Sequence, residues 1–88
     1  MANDFIWMAN AEAELAEIWL RSPDRNGITE AADQGEAQIR ANPGGCGESQ
    51  DGDSRVMFSG QLVTRWRWDA KKRKATIFQV RSNSGRRQ

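Results

Sequence analysis

The sequence predicts a single α+β domain: an N-terminal strand, then an antiparallel helical hairpin packed on one face of a small, mainly antiparallel sheet, in the order β-α-α-β-β-β. Three observations lead there. Apolar residues recur at helical spacing before Asn42-Pro43, they alternate at period two from Arg55 onward, and a glycine-rich stretch separates the two regimes. A chain of 88 residues holds one such domain with one modest core.

Asp4-Phe5-Ile6-Trp7-Met8 is short, apolar and aromatic, and reads as the first strand. Asn10 is then the expected helix N-cap, with Glu12 and Glu14 in the first turn, where the helix dipole favours acids. Ala11, Leu15 and Ile18 form the buried stripe to about Arg21, widened by Trp19, and Glu17 and Arg21 make an i,i+4 pair on the other face. Ser22-Pro23-Asp24 is a turn, and Ser22 with Pro23 is a candidate cap for the next helix. Asn26-Gly27 weakens helix locally, so the stable part is expected nearer Thr29. Ile28, Ala32, Gly35 and Ile39 complete the second stripe. Gly35 costs about 1 kcal/mol relative to alanine in a helix. Either it permits close approach to the first helix or it leaves a small void.

Residues 42–54 carry four glycines and read as an exposed loop, in which Cys46 is incidental because no base or cation adjoins it. Strands follow at Arg55 to Ser59, Leu62 to Asp69 and Ala75 to Arg81, joined by a tight Gly60-Gln61 turn and a basic turn over 70–74. The domain spans 1–81, and 82–88 reads as a flexible polar tail. Alternation sorts the strands into two faces. Val56, Phe58, Thr64, Trp66, Trp68, Phe78 and Val80 are expected in the core, where packing is the better role for Trp66 and Trp68. Arg55, Met57, Val63, Arg65, Arg67, Ile77, Gln79 and Arg81 fall on the opposite face.

Composition narrows the chemistry. The sequence has no His and no Tyr, which removes Ser-His-Asp and Cys-His nucleophile systems in their usual form. With one Cys and no His, neither a zinc site nor an internal disulfide is available, and no metal or cofactor is expected. The glycines at 44, 45, 47 and 52 lack the spacing of a phosphate-binding loop. There is neither a spanning apolar run nor a basic-then-apolar leader at Met1, so a cytoplasmic location is expected. The net charge of +1 hides a division: residues 1–54 hold eleven acids against three arginines, and residues 55–88 hold ten cations against Asp69. Such polarity points the second half towards a polyanion or an acidic partner, or else neutralises the molecule from within.

Arg55, Arg65, Arg67 and Arg81 are the candidate site residues, because a guanidinium donates two parallel hydrogen bonds to phosphate and keeps its charge. Lys71, Lys72, Arg73 and Lys74 would extend the field towards nucleic acid, or would form a solvated hairpin tip that discourages edge pairing.

The chain resembles the RelE/ParE superfamily of toxins from type II toxin–antitoxin pairs over roughly residues 4–81. The residues carrying the likeness are Ala13-Glu14-Leu15-Ala16-Glu17-Ile18-Trp19, Ile39 through Asn42-Pro43, Gly47-Glu48-Ser49, Arg55-Val56-Met57-Phe58, Trp66-Arg67-Trp68-Asp69 in place of the usual Tyr-Arg-Val-Asp, and Gln79-Val80-Arg81. The resemblance implies a plasmid-stabilisation type of toxin neutralised by a cognate antitoxin that wraps it. RelE-like members cleave messenger RNA in the ribosomal decoding site, and ParE-like members inhibit DNA gyrase without being nucleases. RNA cleavage needs a base, an acid and cations for the crowded phosphate, and the four strand arginines would supply the last. Two departures stand out: Val63 occupies a position where active RelE-like members often have Arg, and no Tyr or His lies near the C-terminus. A ribosome-dependent endoribonuclease, a gyrase inhibitor and a catalytically decayed member that binds only its antitoxin all remain open. So does a generic nucleic-acid-binding module with steep salt dependence and no antitoxin.

Overall fold

A computed structural model of the chain describes residues 4–50 and 52–82. Its elements are β1 (Asp4–Trp7), α1 (Ala9–Arg21), α2 (Arg25–Ala41), β2 (Glu48–Ser49), β3 (Ser54–Ser59), β4 (Leu62–Asp69) and β5 (Lys74–Ser82). The five strands form one sheet in the order β1-β5-β4-β3-β2, with β1 parallel to β5 and the other neighbours antiparallel. The expected α+β architecture is therefore present, with one addition. The glycine-rich loop contains the two-residue edge strand β2, too short to show any alternation in sequence. β5 runs on through Ser82, and the rest of the expected tail, 83–88, lies outside the described residues. No helix among the described residues is long and apolar enough to cross a membrane.

Trp66 of β4 anchors the core at 0% exposure, and its indole N–H donates to the Pro43 carbonyl at 3.0 Å. Ile28, Ile39, Leu62, Ile77 and Val80 are also fully buried. Each side chain of this size stabilises the fold by roughly 1.5–3 kcal/mol relative to an exposed one. α1 packs chiefly on β5, and α2 on β3 and β4, so both helices cover the same face of the sheet.

Both expected helix starts are corrected. α1 begins at Ala9 after an uncapped Met8, and Asn10 instead donates its side-chain amide to the Phe78 carbonyl at 2.9 Å. α2 begins at Arg25, because the Asp24 carboxylate accepts the Gly27 N–H at 3.0 Å. That cap offsets the local cost of Gly27. Ser22 tightens the turn by accepting the Asp24 N–H at 3.0 Å. Along α2 the fully buried stripe is Ile28, Ala31, Gly35 and Ile39, with Ala32 only half-buried. Gly35 lies over β3, where an added Cβ would meet Ser59 at 3.6 Å. The Ser59 hydroxyl donates to the Ala31 carbonyl at 2.8 Å.

Two strands turn their faces differently from expectation. In β3, Arg55 pairs with Trp66, Met57 with Thr64 and Ser59 with Leu62, so these three face the helices. Val56 and Phe58 point the other way, and Phe58 is 60% exposed. The close passage of α2 over Ser59 admits a hydroxymethyl there and leaves no room for a phenyl ring. In β5 the register shifts: Trp66 pairs with Ile77 while Arg65 pairs with Gln79, leaving Phe78 as the extra residue of a bulge. Ile77 consequently enters the core, and Phe78 moves to the opposite side, beside Arg65 and Arg67.

Candidate functional site

The sheet face opposite the helices is arranged in rows set by strand register. One row runs Ser54, Arg67, Thr76 and Ile6; the next Glu48, Val56, Arg65 and Gln79; the third Phe58, Val63 and Arg81. Same-face rows lie about 7 Å apart along the strands. Arg65 and Arg67 are exposed, and with Asp53, Ser54, Arg55 and Phe78 they line a hollow of about 450 Å³. Arg67 and Asp53 also line a second hollow of about 270 Å³ that continues to Asp69, Lys72 and Lys74. The Arg67 guanidinium sits 5.4 Å from the centre of the Phe78 ring, a cation–π contact that orients it across the hollow.

The rim is held by main-chain bonds. The Asp53 carbonyl accepts the Trp68 N–H at 3.0 Å, and the Ser54 carbonyl accepts the Gln50 N–H at 2.9 Å. Asp53 is thereby kept beside the arginines although it belongs to a loop.

The four strand arginines do not act as one set. Arg55 turns towards the loop, where its Nε–H donates to the Cys46 carbonyl at 2.9 Å and its Nη2 to the Gly47 carbonyl at 3.3 Å. By strand parity Arg55 falls with the helix-side residues of β3 rather than on the open face expected of it, although it still borders the hollow of Arg65 and Arg67. Arg81 shares the open face by register, one row beyond Arg65, and also lines a separate hollow of about 370 Å³ beside Glu14 and Glu17 of α1. Lys72 and Lys74 border the second hollow, whereas Lys71 and Arg73 line neither. Arg73 has a left-handed φ of 53°, and the Asp69 carboxylate accepts the Lys72 N–H at 3.1 Å, so this turn is built.

Sequence reasoning missed Asp53 and Phe78. An acid in an acidic glycine loop looks like any solvated acid, and a bulge inside an alternating strand leaves no compositional mark. Near the hollow, burial pushes the Cys46 thiol above its ordinary pKa, opposed by a backbone hydrogen bond and by the Arg55 charge. Among the described residues no group of His, Cys, Asp and Glu could hold a metal ion.

Two helices over one face of a five-stranded sheet make a small α+β fold that solved structures match. A chain of the toxin–antitoxin complex RelBE2 from Mycobacterium tuberculosis matches with a TM-score of 0.71 and 13% identity, over 93% of this chain and 92% of that one. A chain of a chromosomal ParDE toxin–antitoxin system from P. aeruginosa matches with a TM-score of 0.63 and 16% identity, over 91% and 95%. A chain of the archaeal RelE–RelB complex from Pyrococcus horikoshii OT3 matches with a TM-score of 0.61 and 11% identity, over 98% and 100%. By sequence, the chain matches no protein-family model and no curated protein. It has the RelE/ParE-type toxin fold.

Proposed function

We propose that this chain is the toxin of a toxin–antitoxin pair, neutralised by a cognate antitoxin, and that its open sheet face holds RNA in the ribosome. The observation that carries the reading is the pairing of exposed Arg65 and Arg67 around a hollow rimmed by Asp53. The Arg65 and Arg67 guanidiniums share one hollow, with Arg55 on its border. They suit a phosphate better than any neutral ligand, and each of the two can donate two hydrogen bonds to it. Lys72 and Lys74 extend the field for the neighbouring phosphate.

The same groups bear on cleavage. Attack of a ribose 2′-hydroxyl on the adjacent phosphorus needs a proton acceptor, and among the described residues Asp53 is the carboxylate lining the hollow. Arg65 and Arg67 would meet the charge that builds on the phosphate oxygens. The leaving oxygen finds no imidazole or phenol in this chain, so its proton comes from water or from the ribosome. That same absence favours a second reading, in which the domain arrests growth by binding a protein such as gyrase and cuts no RNA.

Inducing the chain alone in a bacterial host and pulse-labelling protein and DNA synthesis separates the readings. The RNA reading predicts an early fall in protein synthesis with cut messages, lost in the Arg65→Ala, Arg67→Ala double variant. An early fall in DNA synthesis with intact messages overturns it in favour of gyrase. No growth effect from the folded, accumulated chain overturns both and leaves a domain that only binds its antitoxin.

A further inference from the structure

We infer that Phe58 is a stacking platform for one base of a single-stranded RNA whose phosphates run along Arg65, Arg67 and Arg81. The inference rests on the RNA reading above and adds to it the form of the strand and a residue that holds a base. Phe58 is 60% exposed on β3, and it shares its row with Val63 and Arg81. Direct cross-strand partners stand about 5 Å apart, and diagonal ones such as Phe58 and Arg65 about 7 Å. Arg65 is thus the nearest guanidinium on the same face, and Arg81 lies one strand further along the same row.

A phenyl ring left in water needs a reason when its neighbours in sequence are buried. Met57, 5% exposed, fills the place of β3 in the core, and Val56, on the same face as Phe58, is only 4% exposed, so Phe58 stands out as the ring left in water. The other large exposed aromatic, Trp19, is already engaged: its N–H donates to Thr29 at 3.2 Å, and Arg25 lies 4.6 Å from the ring centre. Phe78, the second ring on the open face, is half-buried beneath Arg67. Among the described residues no cation or ring lies over Phe58. Its face is open.

Charge selects the occupant. Arg65, Arg67 and Arg81 on the face, with Lys72 and Lys74 beside it, suit a chain that carries an anion at every step. Phosphates over successive rows, with splayed bases turned to the sheet, would bring one base over Phe58. A single strand meets that requirement because its bases are free to unstack, and a duplex does not. Stacking tolerates any base, so the platform adds affinity without adding sequence choice.

The test uses the purified full chain and single-stranded RNA octamers carrying the fluorescent base 2-aminopurine. The wild type should bind and quench the fluorophore. Phe58→Leu, which keeps an apolar side chain, should weaken binding about fivefold or more and remove most of the quench. Phe58→Trp should restore both, and the slope of log affinity against log salt should stay unchanged in both variants. Arg67→Ala should instead lower that slope by about one. Equal affinity and quench for wild type and Phe58→Leu, with the Arg67→Ala effect intact, overturns the platform and leaves the RNA reading standing. Failure of the wild type to bind any octamer overturns the platform alone, because the RNA reading places the message in the ribosome and stands or falls on the protein-synthesis assay.

Discussion

The Glu14 carboxylate on α1 accepts the backbone N–H of Val80 on β5 at 2.9 Å, taking a ladder position that no strand reaches. β1 ends at Trp7 opposite Ile77, and its last bond to β5 is Met8 N–H to the Ile77 carbonyl at 2.9 Å. Beyond that point the amide of Asn10 meets the Phe78 carbonyl, and Glu14 meets Val80. Helix side chains thus continue the strand edge and fix α1 against the sheet.

Glu14→Ala should therefore destabilise the domain by about 1–3 kcal/mol, since it leaves a partly buried amide without its acceptor. Glu14→Gln keeps an acceptor oxygen and should lose less. Urea denaturation followed by tryptophan fluorescence gives both values, and equal stability of all three chains would count against the bond.

Gly35→Ala should stabilise. An added Cβ meets Ser59 at 3.6 Å, an ordinary contact, so the helix gains propensity without a clash. The gain is about 1 kcal/mol, read as a melting temperature raised by a few degrees. A lowered melting temperature would show that α2 cannot accept even a methyl group over β3.

Gly47→Ala should do the opposite. Gly47 has a φ of 70°, and a Cβ there would lie 2.5 Å from the Val56 carbonyl oxygen and 2.8 Å from the Trp66 ring. Backbone strain and collision together should cost about 1–3 kcal/mol. Since Arg55 also donates to the Gly47 carbonyl, the damage should reach the loop that carries Asp53. Calorimetry compared with Gly52→Ala, whose added Cβ meets nothing within 4 Å despite a φ of 58°, isolates the collision from the strain.

Cys46 gives a pH signature. Its ordinary pKa of 9.0 is raised in the fold, chiefly by burial. Below the ordinary value both folded and unfolded chains hold a neutral thiol, and this residue contributes no pH dependence. Above it the unfolded chain ionises first, so stability falls with rising pH until the folded pKa is passed. Alkylation at neutral pH should accordingly be slower in the native chain than in urea. Equal rates would show the thiol to be free of burial.

The helices and the long β4 strand were legible because their patterns are long. Leu62–Asp69 shows eight residues of alternation, and α2 spans several helical turns. β3 was not legible in the same way. Val56, Met57 and Phe58 are consecutive apolar residues that satisfy either parity, and the choice between them was made by Ser59 fitting beneath Ala31 and Gly35. That choice also removed Arg55 from the arginine face and placed Phe58 on it. The bulge at Phe78 had no local signal, because it depends on the register of β4 against β5. In sequence Asp24 reads only as part of a turn in which Ser22 and Pro23 are the candidate cap, and only the folded turn shows its carboxylate capping α2 and overcoming Gly27.

The central claim is that Arg65 and Arg67 on the open sheet face carry the activity. The most direct measurement is protein synthesis in a bacterial host after induction of wild type and of the Arg65→Ala, Arg67→Ala variant, with folding of both checked by circular dichroism. The account predicts a rapid fall for the wild type and normal synthesis for the folded variant. An equal fall with both chains would contradict it, and would place the active surface elsewhere on the domain.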